Sequence, residues 1–193
     1  MRKAYIDAIG MYVPENVVTN QDLEKLMDTS DEWIRERSGI KERHHVDGEC
    51  TTDLALKAAE EALEKAGMQA EDVEHIIFST MASDYFAPGG GPMMTRRLGI
   101  PGTPALDIRM ACSGFLYGLS VSKAFIESGA YNNILLITSE VQSVALDFTT
   151  AGRDTAVLFG DGAAATIVKA TDEDRGLLSV KTHSDGRYAE DLM

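Results

Sequence analysis

The sequence predicts an α/β chain built on a mixed, mostly parallel sheet. Short β-branched runs alternate with helical segments along most of its length, the pattern of strands joined by helical crossovers. Two of those runs, HIIFST (75–80) and NILLITSE (133–140), carry consecutive apolar residues, as strands covered on both faces do. The segment DLALKAAEEALEKAG (53–67) has helical period, with a glycine stop.

In chain order, residues 4–13 read as a strand closed by Pro14. Thr19 and Asn20 offer caps to a helix QDLEKLM, and Ser30 or Asp31 starts another, DEWIRERS, which Gly39 stops. Thr51 or Thr52 is the expected cap of the long helix. Its Leu54, Leu56, Ala59, Leu63 and Ala66 form an apolar side, and Lys57–Glu61 and Glu61–Lys65 are spaced for ion pairs. After HIIFST comes a Gly/Pro loop, DYFAPGGGP (84–92), and a short helix with Arg96 and Arg97. PALDI (104–108) is the next strand, followed by the helix SGFLYGLSVSKAFIESG. The Asp161-Gly162 pair predicts a hairpin of two strands within TAVLFGDGAAATIVKA, and GLLSVKTHSD (176–185) reads as a last strand.

The chain has 193 residues, and 31 acidic against 18 basic side chains give a formal charge of −13. A chain of this size buries roughly 70% of its unfolded surface and needs no staples. The acidity argues against nucleic acid and anionic membranes as partners. No stretch is long and apolar enough for a membrane span. The N-terminus lacks a signal-peptide core, and two cysteines make no disulfide framework. The expected location is the cytoplasm. The charge is uneven. Residues 49–75 carry 2 basic and 8 acidic groups, whereas Arg35 to Arg43 holds four basic and two acidic.

Cys112 lies where the strand PALDI gives way to a helix, at the positive end of a helix dipole, where a thiolate is stabilised. Gly114 and Gly118 allow close packing of that helix. On position alone Cys112 is a nucleophile or a buried structural cysteine. Cys50, in DGECTTD, reads as incidental. Gly160-Asp161-Gly162-Ala163-Ala164-Ala165 matches a dinucleotide-loop pattern formally, but strand-forming Thr166-Ile167-Val168 follows where a helix is required. The four histidines, His44, His45, His75 and His183, have no metal-ligand spacing, so no metal site is expected, and His75 reads as structural. The basic stretch with Trp33 beside it is either a solvated surface or a seat for an anionic substrate tail.

Four segments in order, TSDEWIRERSGIKERH, DIRMACSGFLYGLS, FGDGAAA and HSDGRY, resemble the β-ketoacyl-acyl carrier protein synthase III family of thiolase-like condensing enzymes, over essentially the whole chain. The resemblance implies the first half, βαβαβαββ, of a five-layer α-β-α-β-α fold. Residues 1–193 would then be one thiolase-like half-domain, with the C-terminal half absent from this chain. It implies acyl transfer from an acyl-coenzyme A to Cys112, with no cofactor beyond that substrate. Decarboxylating condensation with malonyl-acyl carrier protein in fatty acid biosynthesis follows. By resemblance Trp33, Arg37 and Arg153 hold coenzyme A, and Arg35 and Arg43 are weaker candidates. Phe86 and Ala87 lie on the loop that lines the neighbouring subunit's acyl pocket, with Ala87 where the family has phenylalanine. The family's decarboxylating His and Asn belong to its second half, supplied in the complete protein or by another chain. A homodimer joined through sheet edges is expected, with NILLITSE or its neighbour as the edge. The alternatives are a non-catalytic half-domain or partner subunit, or a hydroxymethylglutaryl-CoA synthase-like or long-chain condensing enzyme.

Overall fold

A computed structural model describes residues 2–190. Its elements are β1 (Lys3–Tyr12), β2 (Asn16–Thr19), α1 (Asn20–Glu24), α2 (Asp31–Ser38), β3 (Glu42–His45), α3 (Thr51–Ala66), β4 (Ile76–Ser79), α4 (Gly90–Arg97), β5 (Ala105–Ile108), α5 (Gly114–Glu127), β6 (Asn133–Glu140), α6 (Arg153–Ala156) and β7 (Gly162–Thr171). Five strands form one sheet in the order β1-β7-β6-β4-β5. β6, β4 and β5 are parallel, and β7 runs antiparallel to both β6 and β1. β2 and β3 form a separate antiparallel pair that the sequence pattern did not announce.

Strand periodicity divides the core. Ile76, Phe78, Leu135, Ile137, Ala165 and Ile167 face α3 and α4. Ile77, Ile134, Leu136 and Val168 face α5, meeting Leu119 and Ile126. The result is a three-layer α-β-α unit. A third cluster, Leu23, Met27, Ile34, Ala156 and Val157, ties α1 and α2 to α6. α5 keeps Leu116 half exposed. In β1, Ala8 packs towards α3, so Ile9 and Met11 point to the opposite face, and both are exposed. Among the described residues no helix is long and apolar enough to cross a membrane.

The helix ends follow local chemistry. Thr19 Oγ1 accepts from Asp22 N at 3.2 Å, and the Asp22 carboxylate accepts in return from Thr19 N at 3.1 Å. Ser30 Oγ accepts from Trp33 N at 3.1 Å, and Gly39 ends α2 at φ 75°.

Five expectations need correction. The hairpin around Asp161 is absent. Residues 153–156 stay helical, and the Asp161 carboxylate is buried rather than turned to water. It accepts from Val46 N (2.8 Å), Gln142 N (2.7 Å), Ser143 N (2.9 Å) and Ser143 Oγ (2.5 Å), so tertiary bonds outcompete the local turn. Residues 176–185 form no strand. Leu177 N donates to Ala4 O, but Leu178 is exposed and no ladder develops along β1. β6 is no edge, because β7 and β4 flank it; the free edges are β1 and β5. The residue capping α3 is Cys50, while the Thr51 and Thr52 side chains bond to the β4–α4 loop. Lys65 pairs with Glu61 at 2.8 Å, but Lys57 turns to the Tyr12 hydroxyl instead.

Candidate active site

β5 ends at Ile108, and the chain turns within a few residues into the fourteen-residue α5. Ala111 makes that turn at φ 45°, a left-handed conformation that costs a non-glycine residue roughly 1–3 kcal/mol. Ser113 closes the turn, donating from both N (3.2 Å) and Oγ (2.8 Å) to Met110 O. Cys112 sits between them in a single helical turn, Ala111–Ser113, that leads into α5. Cys112 is exposed in this chain. Gly114 and Gly118 let α5 descend on the sheet; a β-carbon at Gly118 would lie 2.3 Å from Leu136 Cδ1. An exposed cysteine held by a strained turn before a helix N-terminus is open to an electrophile from solvent.

A second cluster forms around Trp33. α2 carries Trp33 and, one turn on, Arg37, whose guanidinium carbon lies 4.2 Å from the indole centroid. Arg153, at the start of α6, brings a second guanidinium to 4.4 Å from the same centroid. Trp33, Ile34, Arg37, Ser38, Arg153 and Asp154 line a cleft of about 540 Å³. Arg153 Nη1 donates to Asp28 O at 2.9 Å, and its buried Nε forms an ion pair with Asp154 Oδ1 at 3.6 Å. The cleft combines a flat aromatic face with two cations, a fit for a planar, anionic ligand.

The two weaker basic candidates lie elsewhere. Arg35 pairs with Asp31 at 3.3 Å. Arg43 is buried, donating to Val18 O, Asn20 Oδ1 and Val157 O, so it serves as an internal tie. His75 is buried between Tyr131, stacked at 4.6 Å, and Phe125, edge-on at 5.3 Å, and burial holds its imidazole below the usual value. His45 is buried against Phe148, and its imidazole is held low for the same reason.

Phe86 and Ala87 stand at the tip of the β4–α4 loop. Phe86 is fully exposed and borders a cavity of about 210 Å³ with Thr80, Tyr85, Asp107 and Arg109. Cys112 lines neither this cavity nor the Trp33 cleft. Trp33, Arg37 and Arg153 thus come together, and Cys112 and the loop tip form two further stations. Sequence reasoning missed the carboxylates that hold these stations. Glu140 accepts from Met81 N (2.7 Å) and Ala82 N (3.1 Å), and Asp84 and Asp161 play similar parts. Nothing in the spacing marks them, because each acts on a loop distant in sequence.

A three-layer half with an exposed cysteine ahead of its central helix defines a thiolase-like condensing-enzyme fold. The model of the 3-oxoacyl-[acyl-carrier-protein] synthase III family matches residues 106–186, the stretch that holds Cys112 and Arg153. A β-ketoacyl-[acyl-carrier-protein] synthase III of Sulfurovum sp. is 47% identical over 189 residues, covering 96% of this chain and 55% of the relative. The Chlamydia caviae protein of the same name is 50% identical over 169 residues, covering 87% of this chain and 50% of its own length. The crystal structure of the synthase III of Pseudomonas aeruginosa superposes with a TM-score of 0.93 at 37% identity, covering 99% of this chain and 60% of that one. That of Thermus thermophilus gives 0.92 at 38% identity, with 98% and 58% covered. The chain belongs to the β-ketoacyl-acyl carrier protein synthase III family and matches the N-terminal part of its members. It spans about half the length of the curated relatives it matches.

Proposed function

We propose that this chain is the nucleophile-bearing half of an acyl-coenzyme A-primed condensing enzyme of fatty acid biosynthesis. The observation that carries the reading is the exposed Cys112 on its strained turn at the head of α5. In the first step the Cys112 thiolate attacks the thioester carbonyl. The tetrahedral intermediate collapses, coenzyme A leaves as its thiol after taking up a proton, and the acyl group stays on Sγ. In this reading the Cys112 N–H donates to the oxyanion, a bond that strengthens as charge develops. The Trp33 cleft supports the other end of the substrate: the indole stacks the adenine, and Arg37 and Arg153 meet the phosphates.

In the second step malonyl-acyl carrier protein loses carbon dioxide, and its carbanion attacks the acyl-Cys112 carbonyl; the carbon–sulfur bond breaks, Sγ leaves as the thiolate, and the β-ketoacyl product stays on the carrier protein. Stabilising that carbanion falls to the His and Asn that the family resemblance assigns to its second half. Exposed Ile9, Met11 and Leu116 support cover by such a half, read here as the pseudo-repeat of residues 1–193. The free edge of β5 supports a homodimer with continuous sheets. Ala87 in place of a larger residue at the loop tip supports a primer longer than acetyl.

The test is intact mass after incubation with acyl-CoAs of two to twelve carbons, on the 193-residue chain alone and joined to a C-terminal half from a relative. The expected result is one acyl group gained, lost in Cys112→Ser. No gain with any acyl-CoA in either form overturns the reading in favour of a non-catalytic half-domain.

A further inference from the structure

We propose that Asp84 is a positioning residue that fixes the tip of the β4–α4 loop and thereby sets how sharply the site selects acyl-chain length. The proposal rests on the reading just given, in which that tip bounds the acyl room.

The loop from Thr80 to Gly89 has no regular structure, yet it is held at three points. At its base Glu140 accepts from Met81 N, Ala82 N and Thr80 Oγ1, and Thr51 Oγ1 donates to Ala82 O. At its middle Asp84 reaches the N-terminus of the sixteen-residue α3. Its carboxylate accepts from Thr52 Oγ1 at 2.5 Å, Thr52 N at 3.3 Å and Cys50 Sγ at 3.3 Å. The carboxylate is thus a cap supplied from another element, where unpaired N–H groups and the helix dipole favour negative charge. The Cys50 thiol is raised by burial, which keeps it protonated and able to donate. At the far end Gly91 N donates to Asp107 Oδ1 at 2.9 Å. A β-carbon at Gly89 would lie 2.5 Å from that carboxyl, and one at Gly90 would lie 2.4 Å from the Phe78 ring. The glycines of this loop are therefore what lets it close on Asp107.

Between the Asp84 and Asp107 anchors, Tyr85 to Pro88 make no hydrogen bonds among the described residues, and Phe86 is fully exposed. A four-residue tip pinned on both sides keeps one position and gives a firm boundary. Freed on the Asp84 side, it samples several positions and its boundary is averaged. Discrimination between chain lengths rests on small differences in packing, so loosening the boundary flattens the preference rather than abolishing the chemistry.

The experiment pairs two readouts on the chain joined to a C-terminal half from a relative, for wild type, Asp84→Asn, Asp84→Glu and the milder Thr52→Val. The first is the rate of chymotrypsin cleavage after Tyr85 or Phe86, which reports tip mobility without any substrate. The second is the ratio of single-turnover acylation rates of Cys112 for the best and worst acyl-CoA lengths. Expected are about tenfold faster cleavage and an at least fivefold flatter ratio for Asp84→Asn. Thr52→Val should lie between it and wild type, and Asp84→Glu should recover in part. Unchanged cleavage in Asp84→Asn overturns the clamp, and faster cleavage with an unchanged ratio overturns its control of selectivity. Wild type that takes no acyl group at all overturns the proposed function instead, and selectivity control by Asp84 falls with it.

Discussion

The Ser79 hydroxyl, at the end of β4, fills the space that a side chain on Gly114 would need. A β-carbon at Gly114 would lie 2.0 Å from Ser79 Oγ and 3.1 Å from Ser79 Cβ. Gly114 is the first residue of α5, two after Cys112, so this contact sets how far the nucleophile turn sinks towards the sheet. Gly114→Ala should destabilise the fold by about 1–3 kcal/mol through overpacking. Adding Ser79→Ala removes the clashing oxygen and should recover at least half of the loss. A double-mutant cycle by urea unfolding measures the coupling, and additive losses would show that the contact does not govern the packing.

Arg37 is exposed and meets the indole of Trp33, with a longer bond to Trp33 O at 3.4 Å. Arg37→Ala should change stability by less than about 0.5 kcal/mol. It should weaken coenzyme A binding about three- to tenfold, the scale of one cation–aromatic contact plus a lost charge. Arg35→Ala, outside the cleft, should leave affinity unchanged. Calorimetric titration of both variants with coenzyme A decides the matter, and equal losses would place the binding elsewhere.

Asp161 carries three N–H donors and a hydroxyl on one buried carboxylate. Asp161→Asn keeps the shape but turns an NH2 group towards donors that need an acceptor. The expected cost is about 2–4 kcal/mol, read as a lowered urea midpoint. A shift within error would mean that the loops hold each other without it.

His75 gives the fold a sensitivity to acid. Burial depresses its folded pKa, whereas an unfolded imidazole titrates near the ordinary value of 6.5. Above that pH both states are neutral and nothing is lost. Below it the unfolded chain binds a proton that the folded one resists, so stability falls as pH falls. His75→Phe, which keeps a ring against Tyr131 and Phe125, should narrow the stability gap between pH 7.5 and 5.5. Part of the gap should survive, because His45 is depressed in the same direction. An unchanged gap would exclude His75 as its source.

Much of the fold was legible because burial repeats at the period of the element. Ile76, Ile77 and Phe78 are all buried, as the consecutive apolar run implied, and Ser30, Gly39 and Gly67 end their helices where expected. Legibility failed where a side chain answers to a distant partner. Asp161-Gly162 has the local chemistry of a turn, but Val46, Gln142 and Ser143 recruit the carboxylate. Strand order was likewise hidden, since the apolar content of NILLITSE speaks of burial and not of which strands flank it. Of the candidate site, Cys112 stood out by its strand-to-helix junction. Trp33 and Arg153 lie far apart in sequence, so only resemblance joined them.

The pairing of β1 with β7 also governs how the molecule must come into being. Lys3 aligns with Thr171 and Tyr12 with Ala163, so β1 is completed by a strand that the chain reaches only after β4, β5 and β6. During synthesis from the N-terminus, β1 leaves the ribosome well before β7 exists, and Ala4 and Ala8, buried in the finished sheet, wait in water. Closing so long a loop makes folding slow and leaves an unpaired strand open to wrong neighbours. The nascent chain should therefore be a client of cellular chaperones until β7 emerges.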